Sequence, residues 1–341
     1  MERKFFISPS PHITDTDSIP KIMYMVVLSL LPAGAGAVYF FGTRVLWVIA
    51  TAVVSALLTE YGCQRLMKRP VQIADGSAVI TGILLAYNLP PEVPLWIPAL
   101  GSMVGIGIGK MAFGGLGYNP MNPALIGRAF LMASWPVHMT VFRTIPKNGT
   151  LSGIDAITTA TPLNIFSSTR EILMHSSNYT AEQVAEATQA ISQLYSSYMN
   201  LFTGRIGGCI GETSALLLLI GAVLLMYKRI IGWKIPFSYI GTVAILTWIF
   251  GGTDGLFTGD PLFHVLSGGL ILGAFFMATD MVTSPVTFKG RLLFGTGCGI
   301  LTTVIRLWGG YPEGVSYSIL LMNLTTPLLD RYTKPKVFGG K

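Results

Sequence analysis

"LLAYNLPPEVP", residues 84–94, decides how this chain folds. It begins as an apolar helix, meets the polar Asn88 and ends on Pro90, Pro91 and Pro94. Proline has no N–H to donate and clashes with the preceding turn, so the helix must stop here. "MATDMVTSP" (277–285) repeats the device: Ala278, a polar side chain, then Pro285. Both breaks sit in strongly apolar surroundings. In a bilayer, a broken helix is tolerated only where protein or a cavity satisfies the freed backbone.

Composition supports a membrane setting. Of 341 residues, 51% are apolar and only 11% charged, against about 25% charged in an average soluble domain. Ten apolar segments follow, at roughly 22–42, 43–63, 76–90, 94–112 and 122–135, then roughly 211–227, 235–251, 261–279, 292–308 and 315–329. The third, fifth, eighth and tenth are short or interrupted, below the ~20 residues of a full span. The domain reading is a cytoplasmic N-terminal segment (1–21), a first five-helix repeat (22–135), a polar loop (136–210), a second five-helix repeat (211–330) and a tail (331–341).

Basic residues set the orientation. With the N-terminus inside, Arg44 is the only one of the 23 Lys and Arg in the short outer loops. Arg143, Lys147, Arg170 and Arg205 lie in the long loop, Arg128 and Arg306 within segments, and all the others on the inner side. The positive-inside rule therefore predicts ten spans, both termini cytoplasmic and the 136–210 loop outside. The net charge of +7 reads as topology, not as a nucleic-acid partner. Arg3 and Lys4 precede a polar run, so no cleavable signal peptide is expected. Cys63, Cys209 and Cys298 are dispersed, which argues against zinc or iron–sulfur ligation by this chain alone.

The halves echo each other. "KMAFGGLGYNP" (110–120) matches "RLWGGYP" (306–312): a basic residue, an aromatic, paired glycines, then Tyr and Pro. An odd number of spans per half puts equivalent elements on opposite faces. The fold class is thus all-α, an integral membrane protein of about ten helices in two inverted five-helix repeats, with sites at the broken helices.

Candidate chemistry is sparse. "GIGIGK" (105–110) lacks the spacing of a phosphate loop; Gly101, Gly105 and Gly109 read as helix-packing residues. No Ser-His-Asp or paired-carboxylate arrangement stands out. "FGGLGYNPMNPALIGR" (113–128) offers Asn119 and Asn122 either to a neutral, flat, hydrogen-bonding ligand or to their own backbone as caps. Asp75, Glu212, Asp280 and Arg306 lie at or in apolar segments, where charge is costly and usually functional. Asp75 and Glu212 suit helix starts; Asp280, after a long apolar run, suits an ion or cofactor path. In the outer loop, Thr180 and Gln183 form a capping box for an amphipathic helix with stripe Val184, Ala187, Ile191 and Leu194.

"GIDAITTATPLN" (153–164) is the remaining motif. It resembles the covalent flavin-attachment motif D-G-x-[ST]-G-A-[ST]: Asp155, Thr158, Ala160 and Thr161 match, while Ala156 and Thr159 replace the two glycines. "DGSAVITGILLAYNLPP", "GGLGYNPMNPALIGRAF" and "GGYPEGVSYSILLMNLTTPLLD" extend the likeness, in order, across about residues 8–332. The chain resembles the family of the D subunit of Rnf complexes, which are ion-translocating ferredoxin:NAD⁺ oxidoreductases. The B subunit of the sodium-translocating NADH:quinone reductase is its homologue, usually with a longer N-terminal extension.

That resemblance implies a urea-transporter-like fold in a bacterial cytoplasmic membrane. It implies FMN linked through its phosphate to the Thr161 hydroxyl by a flavin transferase that reads Asp155, Thr158 and Ala160. A second, non-covalent flavin, riboflavin, is expected near Asn119 and Asn122. Partners are the other Rnf subunits, including a second that carries FMN. Electron transfer would couple to Na⁺ or H⁺ movement, with Asp280 and Asp330 as candidates for the ion path. A channel for a small polar solute such as urea fits the inverted repeat equally well, but has no use for flavin attachment.

Overall fold

The computed structural model describes residues 17–140, 142–143, 158–159, 161–212, 214–253, 255–310 and 313–334. The first half contains α1 (Ile19–Phe41), α2 (Arg44–Leu66), α3 (Ser77–Tyr87), α4 (Trp96–Gly107) and α5 (Pro123–Ser134). The connecting region holds α6 (Pro136–Met139), the two-residue strands β1 (Phe142–Arg143) and β2 (Thr158–Thr159), α7 (Pro162–Met174), α8 (Ala181–Ser196) and α9 (Tyr198–Thr203). The second half is α10 (Ala215–Tyr227), α11 (Lys234–Phe250), α12 (Pro261–Leu266), α13 (Leu270–Leu272) with a π-helical turn (Gly273–Met277), α14 (Phe288–Trp308) and α15 (Val315–Tyr332).

Three stretches are long and apolar enough by length and composition to cross a membrane: Ile19–Phe41, Arg44–Leu66 and Trp96–Phe113. α3, α5, α10 and α11 are shorter apolar helices. Trp47, Leu58, Val223, Ile245, Val304 and Leu328 are large apolar side chains left exposed on the helices. Such a surface suits lipid and not water, and the chain is a multi-pass membrane protein.

Both predicted breaks are present, the first imposed by proline and the second by paired glycines, of which Gly268 takes a φ of +68°. α3 stops at Tyr87 after 11 residues. The eighth apolar segment is split: α12 ends at Leu266, Ser267–Gly269 are not helical, and the chain resumes as α13 and the π turn. One apolar core joins both halves, from Leu30 and Val48 through Leu85 and Leu125 to Phe275 and Ile319. Within the first half α2 packs on α3 and α4, and α4 on α5; within the second α11 packs on α12 and α14, and α14 on α15. The halves meet where α1 lies along α10 and α5 along α15.

The glycines read as packing residues do pack. A Cβ on Gly105 would lie 2.6 Å from the Pro123 carbonyl oxygen, and one on Gly127 2.4 Å from that of Gly101. α4 and α5 thus touch backbone to backbone, which a larger side chain would forbid. The capping box at α8 forms as predicted, with both Thr180 and Gln183 bonds present. A second core of Leu163, Phe166, Leu201, Phe263 and Leu307 seats α7 and α9 on α12 and the end of α14.

Candidate functional site

Two polar clusters lie at opposite ends of α3, which at ~1.5 Å per residue is about 16 Å long. At its C-terminal end, Asn88 follows the last helical residue and its amide oxygen accepts from Arg128 of α5. Arg128 also pairs with Glu313, which precedes α15, and lies 3.9 Å from Glu212, which precedes α10. Ile210 and Gly211 donate to the carbonyls of Leu89 and Tyr87, which pins the Glu212 segment against the end of α3. Arg306, at the end of α14, donates to the carbonyls of His264, Ser267 and Glu313. Arg128, Glu212 and Arg306 are all buried. This network binds elements of both halves and is largely buried, with Glu313 its partly exposed member.

Thr161 sits beside it. It caps α7: its backbone is extended and its hydroxyl oxygen accepts from Asn164 N at 3.2 Å. It is buried and lines a small recess with Glu212, Gly268 and Glu313. Glu313 also borders a larger cavity of about 180 Å³, walled by Arg128, Met132, Phe142, Asn164 and Tyr317. Of the other residues in the attachment motif, Asp155 and Ala160 lie outside the described residues. Thr158 pairs by its backbone with Arg143 across the β1–β2 ladder. Arg170 of α7, also buried, donates to the carbonyls of Leu307 (2.8 Å) and Phe250 (3.2 Å). One guanidinium thereby caps the C-terminal ends of α14 and α11, where cations are favoured.

At the other end, Asn119, Asn122 and Asp280 come together in one cavity of about 100 Å³ between the halves. Its walls are mainly apolar, including Ile80, Leu84, Phe275 and Phe276, and its charged members are Lys110 and Asp280. The capping reading holds for Asn122. Asn122 caps α5 through Ala124 N at 3.0 Å, and its amide donates weakly to Met277 O at 3.5 Å. Asn119 donates to Met121 O, but its own oxygen is buried with no partner among the described residues. Asp280 accepts from Thr283 and from Val282 N. Asp330 is elsewhere: it accepts from Val286 N at 3.0 Å, fastening the turn before α14, and does not line this cavity.

Two residues differ from their sequence reading. Asp75 precedes the cap position, which is Gly76, and accepts instead from the backbone and hydroxyl of Ser77. Glu212 is not in a first helical turn, since α10 begins at Ala215. Sequence reasoning also passed over Glu60. It is a carboxylate inside a predicted span, which was the available signal, and it pairs with the equally buried Lys110 at 2.7 Å.

The molecule is therefore a multi-pass helical membrane protein with buried ionic clusters at two levels and a mainly apolar cavity between its halves. The sequence profile of the NQR2, RnfD, RnfE family matches residues 6–339, and the chain belongs to that family. It is 49% identical over 337 residues to the D subunit of the proton-translocating ferredoxin:NAD(+) oxidoreductase complex of Clostridium ljungdahlii, covering 99% of this chain and 97% of the relative. It is 47% identical over 340 residues to the D subunit of the Na(+)-translocating ferredoxin:NAD(+) oxidoreductase complex of Acetobacterium woodii, covering 99% of this chain and 96% of the relative. The D subunit of an ion-translocating oxidoreductase complex from Stutzerimonas stutzeri is 40% identical, with 94% of this chain and 92% of the relative covered.

Proposed function

We propose that this chain is the D subunit of an ion-translocating ferredoxin:NAD⁺ oxidoreductase complex in a bacterial cytoplasmic membrane. It carries FMN on Thr161 and a non-covalent riboflavin between its halves, and passes electrons among its partners as Na⁺ or H⁺ moves. Near full-length identity of 49% and 47% to subunits so named supports the complex. Those two relatives are named for different ions, so overall identity does not select the ion.

The observation that carries the flavin reading is the position of Thr161. Its hydroxyl stands at the N-terminus of the 13-residue α7, where free N–H groups and the helix dipole favour an anion. A phosphodiester on that oxygen gains those donors. The neighbouring 180 Å³ cavity, with Arg128, Phe142 and Tyr317, is within the reach of a tethered ring. The riboflavin pocket has matching chemistry: aromatic walls from Phe275 and Phe276, and the unpartnered Asn119 oxygen as an acceptor for a ring N–H. At about 100 Å³ it is below the ~300 Å³ of common ligand pockets, so side chains must yield to admit three fused rings. When bound, flavins supply one- and two-electron storage; this chain's residues bind, orient and tune them.

The ten-span, inverted-repeat, urea-transporter-like architecture belongs to the same proposal. It is supported by the matching packing order of α2–α5 and α11–α15. Buried Lys110, three residues after α4, and Arg306, in the last turn of α14, support it too. Asp280, in the cavity wall, is the better placed of the two aspartates for an ion path.

The test is direct. Wild-type chain co-expressed with a flavin transferase should fluoresce in a denaturing gel and gain the mass of FMN less water. Thr161→Ser should keep both signals and Thr161→Ala should lose both. A wild type with no added mass would refute covalent attachment.

A further inference from the structure

A continuous line of polar side chains runs from the riboflavin cavity to a second, polar pocket. Lys110 Nζ donates to Ser77 Oγ at 2.6 Å and to Glu60 Oε1 at 2.7 Å. Gln64 Nε2 donates to the same Glu60 oxygen at 3.1 Å, and the Gln64 side-chain oxygen accepts from Gln72 N at 3.0 Å. On the other branch, Ser77 Oγ donates to Asp75 at 2.6 Å. Lys110 and Ser77 line the riboflavin cavity. Glu60, Gln64 and Asp75 line the polar pocket, of about 230 Å³, whose rim residues Arg69, Pro70 and Gln72 are exposed.

The pair itself is unusual. Both Lys110 and Glu60 are about 2% exposed or less. A buried ion pair is often no more stable than packed apolar residues, and ionisable groups at such depth tend to be functional. Glu60 has a second peculiarity: its Oε2 is buried with no partner among the described residues. A purely structural pair would leave no oxygen bare at a cost of ~1–3 kcal/mol.

We propose that Glu60 and Lys110 are a two-site relay carrying one proton between the polar pocket and the cavity. The Lys110 ammonium gives a proton to a ligand in the cavity and becomes an amine. Glu60, protonated on Oε2 from the polar pocket, turns its carboxyl group to bring that O–H to the amine, returns the proton and is again a carboxylate. One N–H or O–H bond forms for each that breaks, and no electron passes through the relay. Ser77 directs its own proton to Asp75, so the short route runs through Glu60. The charged and titratable groups facing the pair are Asp75 and Arg69 from the loop before α3, Cys63 on α2, Tyr118 across the polar pocket and Asp280 across the cavity. The acceptor rests on the flavin reading above: a flavin in the cavity takes up protons as it is reduced.

The experiment uses the complex purified from membranes, with riboflavin quantified after extraction. It is reduced at an electrode through a viologen mediator, whose one-electron reduction takes up no proton, in weak buffer, and proton uptake is followed with a pH-indicator dye beside flavin absorbance. Glu60→Gln should keep its riboflavin and slow the uptake phase at least tenfold; Glu60→Asp should fall between. Riboflavin retained and uptake at the wild-type rate in Glu60→Gln would overturn the relay alone. A wild type lacking riboflavin would instead refute the cavity's ligand. Should Glu60→Gln fail to assemble, redox-difference infrared spectra of the wild type and Glu60→Asp decide. A carboxyl C=O band that shifts in D₂O and moves in the Asp variant is expected, and its absence overturns the relay.

Discussion

Replacing Arg128 with methionine tests the network beside Thr161. Among the described residues the guanidinium is the only side-chain cation paired with the carboxylates of Glu212 and Glu313. Methionine has similar length and no charge, so packing is largely kept and the electrostatics are isolated. The ligand atoms of Cys209, Glu212 and Glu313 lie within 4.8 Å of one another. Two carboxylates at that separation repel by about 3.5 kcal/mol at an effective dielectric of ~20. The protein can escape by protonating one of them. Burial already raises the pKa of Glu212, so this costs less than the ~3.7 kcal/mol of a free glutamate at pH 7, and about 1.4 kcal/mol less per unit of pH below that. About 3.5 kcal/mol is thus the upper limit at pH 7, near the low end of the ~3–5 kcal/mol seen on breaking buried pairs. The sign follows: the penalty is full at neutral pH and shrinks as pH falls toward 5. Apparent melting temperatures in detergent should drop by about 5–10 °C at pH 7, and by clearly less at pH 5.5. The pair Arg128→Met with Glu313→Gln should recover much of the loss. A pH 7 shift below about 2 °C, or a shift equal at both pH values, would refute the electrostatic account.

Arg170→Ala removes two charge-assisted bonds that cap α11 and α14. It should cost about 3 kcal/mol, seen as a lower melting temperature, and should reduce FMN on Thr161 because α7 loses its anchor. Unchanged stability and flavin fluorescence would show that the outer apolar core holds α7 alone. Gly221→Ala puts a Cβ 2.0 Å from the Ser29 carbonyl oxygen, between α10 and α1, and should destabilise by about 1–3 kcal/mol. Gly241→Ala on α11, where a Cβ meets nothing within 4 Å, should be neutral or slightly stabilising; equal melting temperatures for the two variants would count against tight α1–α10 packing.

Much of the site was legible because paired prolines and buried charge constrain the chain strongly, although single prolines do not always break it: Pro32 and Pro327 lie inside α1 and α15. Pro90 and Pro285 marked breaks, and residues beside them, Asn88 and Asp280, do line polar positions. The Asn119–Asn122 turn was legible as a candidate, but not which of its groups was already used. Asn122 commits its oxygen to capping α5, while Asn119 keeps one free. Glu60 and Lys110 were hidden for another reason. They are 50 residues apart, and no periodicity within either helix reports that the other side chain arrives to neutralise it.

Local rules, readable along the chain, were enough for the helical class, the apolar segments, the broken third and eighth helices and the one threonine whose surroundings resemble a flavin-attachment motif. Those rules are hydrophobic length, proline's missing donor, capping chemistry and a short motif. Which polar groups share a cavity was settled only by the packed molecule. Packing joined Arg128 to Glu212 and Glu313, set Thr161 beside them, and gathered Asn119, Asn122, Lys110 and Asp280 around one space between the halves. Such pairings depend on how helices far apart in the chain close on one another, and a buried charge reveals its partner only when the packing that excludes water is complete.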